Sequence, residues 1–341
     1  MIETDIAGLI RRLISINSAN PATCAFGAGE GAIAGFCTDW LRARGVHARL
    51  EPLAGSMSRP AVIARNEGAT KGLHVVLLGH LDTYTWYAPC RSNDNRRIEG
   101  PGAFDMKGGV AAILCAMANM TSRMRSGSVT ALLVPDEEHA SFGVRGLAPL
   151  LKADGAIVAE GTSADIGTHH DGRMRVFVET NSPRQREMTV LALAAMVRCG
   201  EAVLKGVAVA SFDGPSPQLV LQRTIASHED VADLSRGVAE KLHSLGIQKM
   251  RWDIREPFVA DEDGLLCDCI KKHARRYALS ACPTSVHGWT EAGVLSAAGI
   301  PCIVFGPHGD GAHTVDEWVD ADSAADISNV LADAVIDFCR S

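Results

Sequence analysis

The chain has 341 residues, long enough to expect two domains, and its 47% apolar and 21% charged content is that of a globular protein with a buried core. A formal net charge of −7 with no block of Lys and Arg excludes a nucleic-acid surface as the basis of function. No apolar run reaches the ~18 residues of a membrane span. The N-terminal MIETDIAGLIRRLISINSANP lacks the pattern of a secretory signal, so a cytoplasmic location is expected. The cysteines are scattered, mostly in apolar segments, as in a reducing compartment.

In chain order, residues 3–16 and 30–44 carry apolar positions at helical spacing. LHVVLLGH (73–80) reads as a strand buried on both faces, GGVAAILCAMANM (108–120) as a helix and SVTALLV (128–134) as a second buried strand. A helix over 142–153 and a strand over 155–160 continue the alternation, which predicts an α/β domain with a mostly parallel central sheet. From about 170 the texture changes. An alternating strand (171–181), a helix (187–204), a strand (216–226), a helix (229–246) and a closing strand (248–258) predict a smaller α+β module of β-α-β-β-α-β type. Helices over 263–279 and 290–298 and the buried strand 300–306 then return to the first texture. The expected organisation is a discontinuous catalytic domain, 1–170 with 258–341, carrying an inserted domain at 171–257. No internal repeat interrupts it.

Chemistry-bearing residues gather where these strands end. His80 and Asp82 in GHLDT lie on one side of the extended chain, where a carboxylate can orient an imidazole whose other nitrogen binds a metal. Asp105 in GPGAFDMKGG is a helix cap or a metal-bridging carboxylate, and Lys107 with its glycines suggests a phosphate loop only weakly. VPDEEHASFG places Glu137 and Glu138 after a buried strand, Glu160 ends the next strand, and His313 follows the last one through a glycine-rich turn. Together these are the imidazole and carboxylate donors of a zinc-type site at the carboxyl ends of the strands of an α/β sheet. Cys267 and Cys269, one residue apart in a predicted helix, point to different faces and make a poor thiolate site.

The segments GHLDT, GPGAFDMKGG, VPDEEHASFG, VAEG, GWTEAGVLSAAGIP and FGPHGDGAHTVDEWV, in this order, resemble the co-catalytic di-zinc deacylases and exopeptidases, which include acetylornithine deacetylase, succinyl-diaminopimelate desuccinylase, glutamate carboxypeptidase and the aminoacylases. The resemblance covers roughly 1–170 and 258–341. It implies two zinc ions, with Co or Mn as substitutes, bridged by Asp105. His80 and Glu160 would complete one site, and Glu138 and His313 the other. Glu137 would be the general base and Asp82 would orient His80. It also implies a zinc-exopeptidase-like catalytic domain, with the ferredoxin-like insert acting as a lid or a homodimer contact. The expected reaction is hydrolysis of an N-acyl amino acid or a short peptide. A non-peptide amide, an aromatic amine or a catalytically silent metal-binding relative are the alternatives.

The sequence departs from that family in four places. The insert stretch VETNSPRQREMTVL lacks the family's His, for which His169, His170 and His228 are candidate substitutes. The usual Asp-x-Arg strand keeps Arg223 without the acid, Gly-Thr-Asp reads GWTEAG with Glu291, and the glycine-proline-glycine turn reads GPH with His308. Arg173, Arg175, Arg184, Arg186 and Arg223 are candidates to clamp a substrate carboxylate.

Overall fold

A computed structural model describes residues 5–53, 56–87, 96–198, 202–212 and 218–341. Cys90 and Cys199 lie outside the described residues, as do the ends of some predicted elements. The chain divides into two compact units, Met1–Thr168 with Ala260–Val286 and Thr290–Ser341, and His169–Val259 with His287–Trp289.

In the first unit the strands Ser126–Val134, Thr70–His80, Gly155–Val158 and Cys302–Val304 lie side by side and parallel. Val75 and Leu77 belong to the main apolar cluster, yet Val76 and Leu78, pointing the other way, are equally buried. The sheet is covered on both faces, which is why LHVVLLGH contains no polar alternation. Two antiparallel strands, His47–Leu53 and Ser56–Glu67, extend one edge. Ile166–His170 joins the other side antiparallel through the pair Gly167 and Val304. Helices Ile6–Ile14, Gly31–Arg42, Gly108–Met120, Leu265–Ala274 and Ala321–Phe338 contribute their apolar faces to the same cluster.

Several details depart from the expected elements. The helix predicted over 142–153 ends at Leu147 and tightens into a 3-10 turn at Ala148–Leu150, because Pro149 has no N–H to continue the ladder. The strand after it stops at Val158, leaving Glu160 beyond the sheet. Three short strands, Arg97–Glu99, Gly309–Asp310 and Trp318–Asp320, form a separate small sheet too short to leave a periodic trace.

The second unit is an α+β module of ferredoxin-like topology. Its antiparallel sheet runs Met250–Arg255, Gly172–Glu179, Gln218–Ile225, Ala208–Phe212. Met174, Val176, Val178, Leu219 and Leu221 pack one face against Leu193 of the helix Pro183–Arg198 and Leu234, Val238 and Leu242 of the helix Val231–Ser244. Among the described residues no helix is long and apolar enough to cross a membrane.

Candidate metal centre

Parallel pairing brings the strand ends level, and that register builds the site. His80, the last residue of its strand, pairs with Val134, the last of the neighbouring one. Glu137 and Glu138 follow Val134 through Asp136, which adopts a left-handed backbone at φ 73°. Glu160 lies just past Val158, His313 sits in the loop after the strand Cys302–Val304 at φ 65°, and Asp105 precedes the helix Gly108–Met120.

The side chains converge. His80 Nε2 lies 2.8 Å from Asp105 Oδ1 and 3.2 Å from Glu160 Oε1. His313 Nε2 lies 3.1 Å from Asp105 Oδ2 and 2.9 Å from Glu138 Oε2. Asp105 therefore offers one oxygen to each group. His80, Asp105 and Glu160 form one cluster of donor atoms, and Asp105, Glu138 and His313 form another, the atoms within each lying within 4.8 Å of one another. Glu138 Oε1 is buried without a donor among the described residues.

The electrostatics follow from crowding carboxylates where water is scarce. Burial raises Glu138 to about 7 with help from Asp105, and it also raises Glu160. Glu137 is pushed well above the ordinary carboxylate range, by burial first and then by Glu291, Glu138 and Asp105 against the pull of His80. Hydrogen bonds to Asp105 and Glu138 lift His313 to about 11. Burial opposes protonation of His80, but Glu160 and Asp105 outweigh it and hold its pKa well above the usual imidazole value. Burial also works against ionisation of Asp105, yet the two histidines overcome it and lower its pKa.

Asp82 is fully enclosed and fastens two strand ends together. The His80 Nδ1–H donates to the Asp82 main-chain oxygen at 2.9 Å, while the Asp82 carboxylate accepts from the backbone N–H groups of Glu137 (3.0 Å) and Glu138 (3.1 Å). Asn20 Nδ2 bridges Asp82 and Asp136, at 2.9 Å to each. Arg59 forks onto Glu30 at 2.7 and 2.6 Å and reaches Asp136 at 3.0 Å. Glu317 accepts from the backbone N–H groups of Gly102, Phe104 and Asp105, each at 2.9 Å, and so shapes the loop that presents Asp105. Asn20, Glu30, Arg59, Asp136 and Glu317 escape the sequence reading. The acids of Asp136 and Glu317 lie inside quoted motifs, but nothing local marks Asn20, Glu30 or Arg59 as their neighbours.

Other residues singled out earlier are placed differently. Lys107 is buried and donates to the Ile16 carbonyl at 3.1 Å, and burial pulls its pKa down to about 7. Glu291 is fully buried with both oxygens lacking a donor among the described residues, and burial raises it to about 8. His308 Nδ1 contacts Ser163 Oγ at 2.9 Å and its ring lies edge-on to Trp318. Cys267 and Cys269 are buried thiols, raised by burial to about 11, and neither belongs to a donor cluster among the described residues. Within the second unit, His170 packs on Phe258, His228 is exposed, and buried Arg223 pairs with Glu229 at 2.5 Å.

The chain is similar to several known proteins in sequence and in fold. A probable carboxypeptidase of Emericella nidulans is 30% identical over 142 residues, a match covering 40% of this chain and 32% of that protein. The chain thus spans about a third of that curated relative's length. An acetylornithine deacetylase of Vibrio cholerae is 26% identical over 371 aligned positions, covering 96% of this chain and 97% of that one. The crystal structure of a family M20 metallo-carboxypeptidase from Sulfolobus solfataricus superposes with a TM-score of 0.71 at 16% identity, covering 98% of this chain and 99% of that one, so the fold is shared. The profile of peptidase family M20/M25/M40 matches residues 76–337, and the chain belongs to that family.

Proposed function

We propose that the chain is a metal-dependent hydrolase of an amide bond, either deacylating N-acyl amino acids or cleaving short peptides. The observation that carries this reading is the pair of three-residue donor clusters sharing Asp105, with Glu137 beside Glu138 at their edge. Mixed imidazole and carboxylate donors suit zinc, and Co or Mn can substitute. The fit is physical as well as chemical. Asp105, Glu138 and Glu160 crowd together, and Glu138 Oε1 lacks a donor among the described residues, so a cation relieves both the repulsion and the orphaned oxygen.

In this reading His80 and Glu160 would hold one ion and Glu138 and His313 the other, with Asp105 available to both. When bound, such a pair polarises a carbonyl and acidifies water. Glu137 accepts a proton from the attacking water and delivers it to the departing nitrogen. Asp82 keeps Glu137 and His80 in register through its backbone and carboxylate contacts. The names of the relatives, carboxypeptidase and acetylornithine deacetylase, point to an amide next to a free carboxylate. We also assign the 171–257 insert as a separate lid or homodimer module of a cytoplasmic enzyme.

The test is elemental analysis of the purified protein together with a panel of N-acetyl and N-succinyl amino acids and dipeptides, with and without chelator. Close to two metal equivalents and hydrolysis that chelation abolishes are expected. Metal-free protein whose hydrolysis ignores chelator overturns the reading.

A further inference from the structure

The two histidines of the donor clusters are held in different ways. His80 is fully buried and its ring is fixed from behind, because Nδ1 donates to the Asp82 carbonyl at 2.9 Å while Nε2 faces the donor cluster. His313 has no such support. Its side chain is 44% exposed, its backbone is left-handed, and among the described residues both of its polar contacts run through Nε2. What it has is a ring: Tyr84 stacks on it with centroids 4.5 Å apart and planes 17° from parallel.

Tyr84 is well anchored for that task. The Tyr84 carbonyl accepts from Thr23 Oγ1 at 2.7 Å. Its neighbour Thr83 is buried and stitched to the first loop, with Asn20 N donating to the Thr83 carbonyl at 2.9 Å and Thr83 N donating to the Ser18 carbonyl at 3.3 Å. Three residues on, the Tyr87 hydroxyl donates to the carbonyl of Thr314, the residue after His313, at 3.0 Å. One short segment thus presents a ring to the His313 imidazole and a hydroxyl to the His313 loop.

We propose that Tyr84 is a positioning residue for His313. Its phenol ring, stacked on the imidazole, replaces the hydrogen bond that steers His80 and strengthens the ion site His313 shares with Asp105 and Glu138. A ligand ring free to rotate loses that freedom on coordination, and a preformed orientation removes the cost. Stacking fixes the plane of the ring without a hydrogen bond to Nδ1 among the described residues. Tyr84 is itself 44% exposed, so truncating it opens no core cavity. The inference rests on the two-ion reading given above.

The experiment strips the full-length protein with chelator and titrates it with Co²⁺, followed by calorimetry and by cobalt absorption. Tyr84→Ala is expected to weaken one of the two stepwise affinities about three- to ten-fold, the range of an aromatic pair. The other affinity, and the melting temperature of the metal-free protein, should stay at their wild-type values. Tyr84→Phe, which keeps the ring, should bind both equivalents as the wild type does. Tyr84→Ala with two unchanged affinities overturns the proposal while leaving the two-ion reading in place. A fall in both affinities together with metal-free stability also overturns it, since that marks a general structural role. Wild-type protein that takes up no Co²⁺, or a single equivalent, removes the two-ion reading and this inference with it.

Discussion

The backbone nitrogen of Glu137 donates to Asp82 Oδ1 at 3.0 Å, although the two residues are 55 positions apart. The carboxylate that follows His80 therefore also sets the start of the turn carrying Glu137 and Glu138. Two strand ends become one rigid piece, and the consequences can be measured.

Glu137→Gln keeps the backbone bond to Asp82 and removes the proton acceptor. Hydrolysis is expected to fall about a hundred- to ten-thousand-fold, the usual contribution of a general base. Metal content measured on the same preparation should match the wild type. A rate within twofold of wild type would remove Glu137 from its assigned role.

Asp82→Asn places an amide where two backbone N–H groups need acceptors. One of those bonds is lost and the turn that presents Glu138 loosens, while the main-chain oxygen behind His80 stays in place. Metal affinity should weaken about 10- to 100-fold, as when groups that orient ligands are altered. Competition with a chromogenic chelator reads this directly.

Arg59 is the cation between two enclosed carboxylates, Glu30 and Asp136. Arg59→Met strands both and should cost about 3–5 kcal/mol in urea unfolding. Adding Glu30→Gln removes one of the stranded charges, so the double variant should recover part of that loss. Equal stabilities for the single and double variants would show that the three groups do not act together.

Far from the donor clusters, Asp337 accepts from Lys272 Nζ at 2.5 Å and lies 3.1 Å from His273 Nε2, tying the helix Leu265–Ala274 to the helix Ala321–Phe338. Lys272 and then His273 lower its pKa, so the unfolded chain binds the proton more readily than the folded one. The stabilisation is present above the ordinary carboxylate pKa and disappears as pH falls through the lowered one. Asp337→Asn should cost about 0.5–1 kcal/mol at pH 7, given the exposure of the pair, and nothing at pH 2. Guanidinium unfolding at both pH values checks the sign, and a gap that widens in acid would contradict it.

The alternation of buried strands and helices was readable because a parallel sheet covered on both faces demands continuous apolar runs, as in LHVVLLGH and SVTALLV. The outermost strand His47–Leu53 left a weaker trace, since an exposed edge accepts polar residues such as Arg49 and Glu51. The final helix Ala321–Phe338 also escaped, although it begins at Asp320, whose side chain accepts from the N–H groups of Asp322 and Ser323.

The sequence by itself determined the α/β class, the change of texture near residue 170 and the order of the motifs, because hydrophobic period and residue type are local properties. Tertiary structure alone decided which atoms meet. Asp105 divides its two oxygens between His80 and His313 only once strands and loops distant in the chain are packed side by side. The same holds for Asn20 between Asp82 and Asp136, Arg59 between Glu30 and Asp136, and Tyr84 on His313. Contacts of that kind depend on register and rotamer across long sequence separations, and no short-range pattern encodes them.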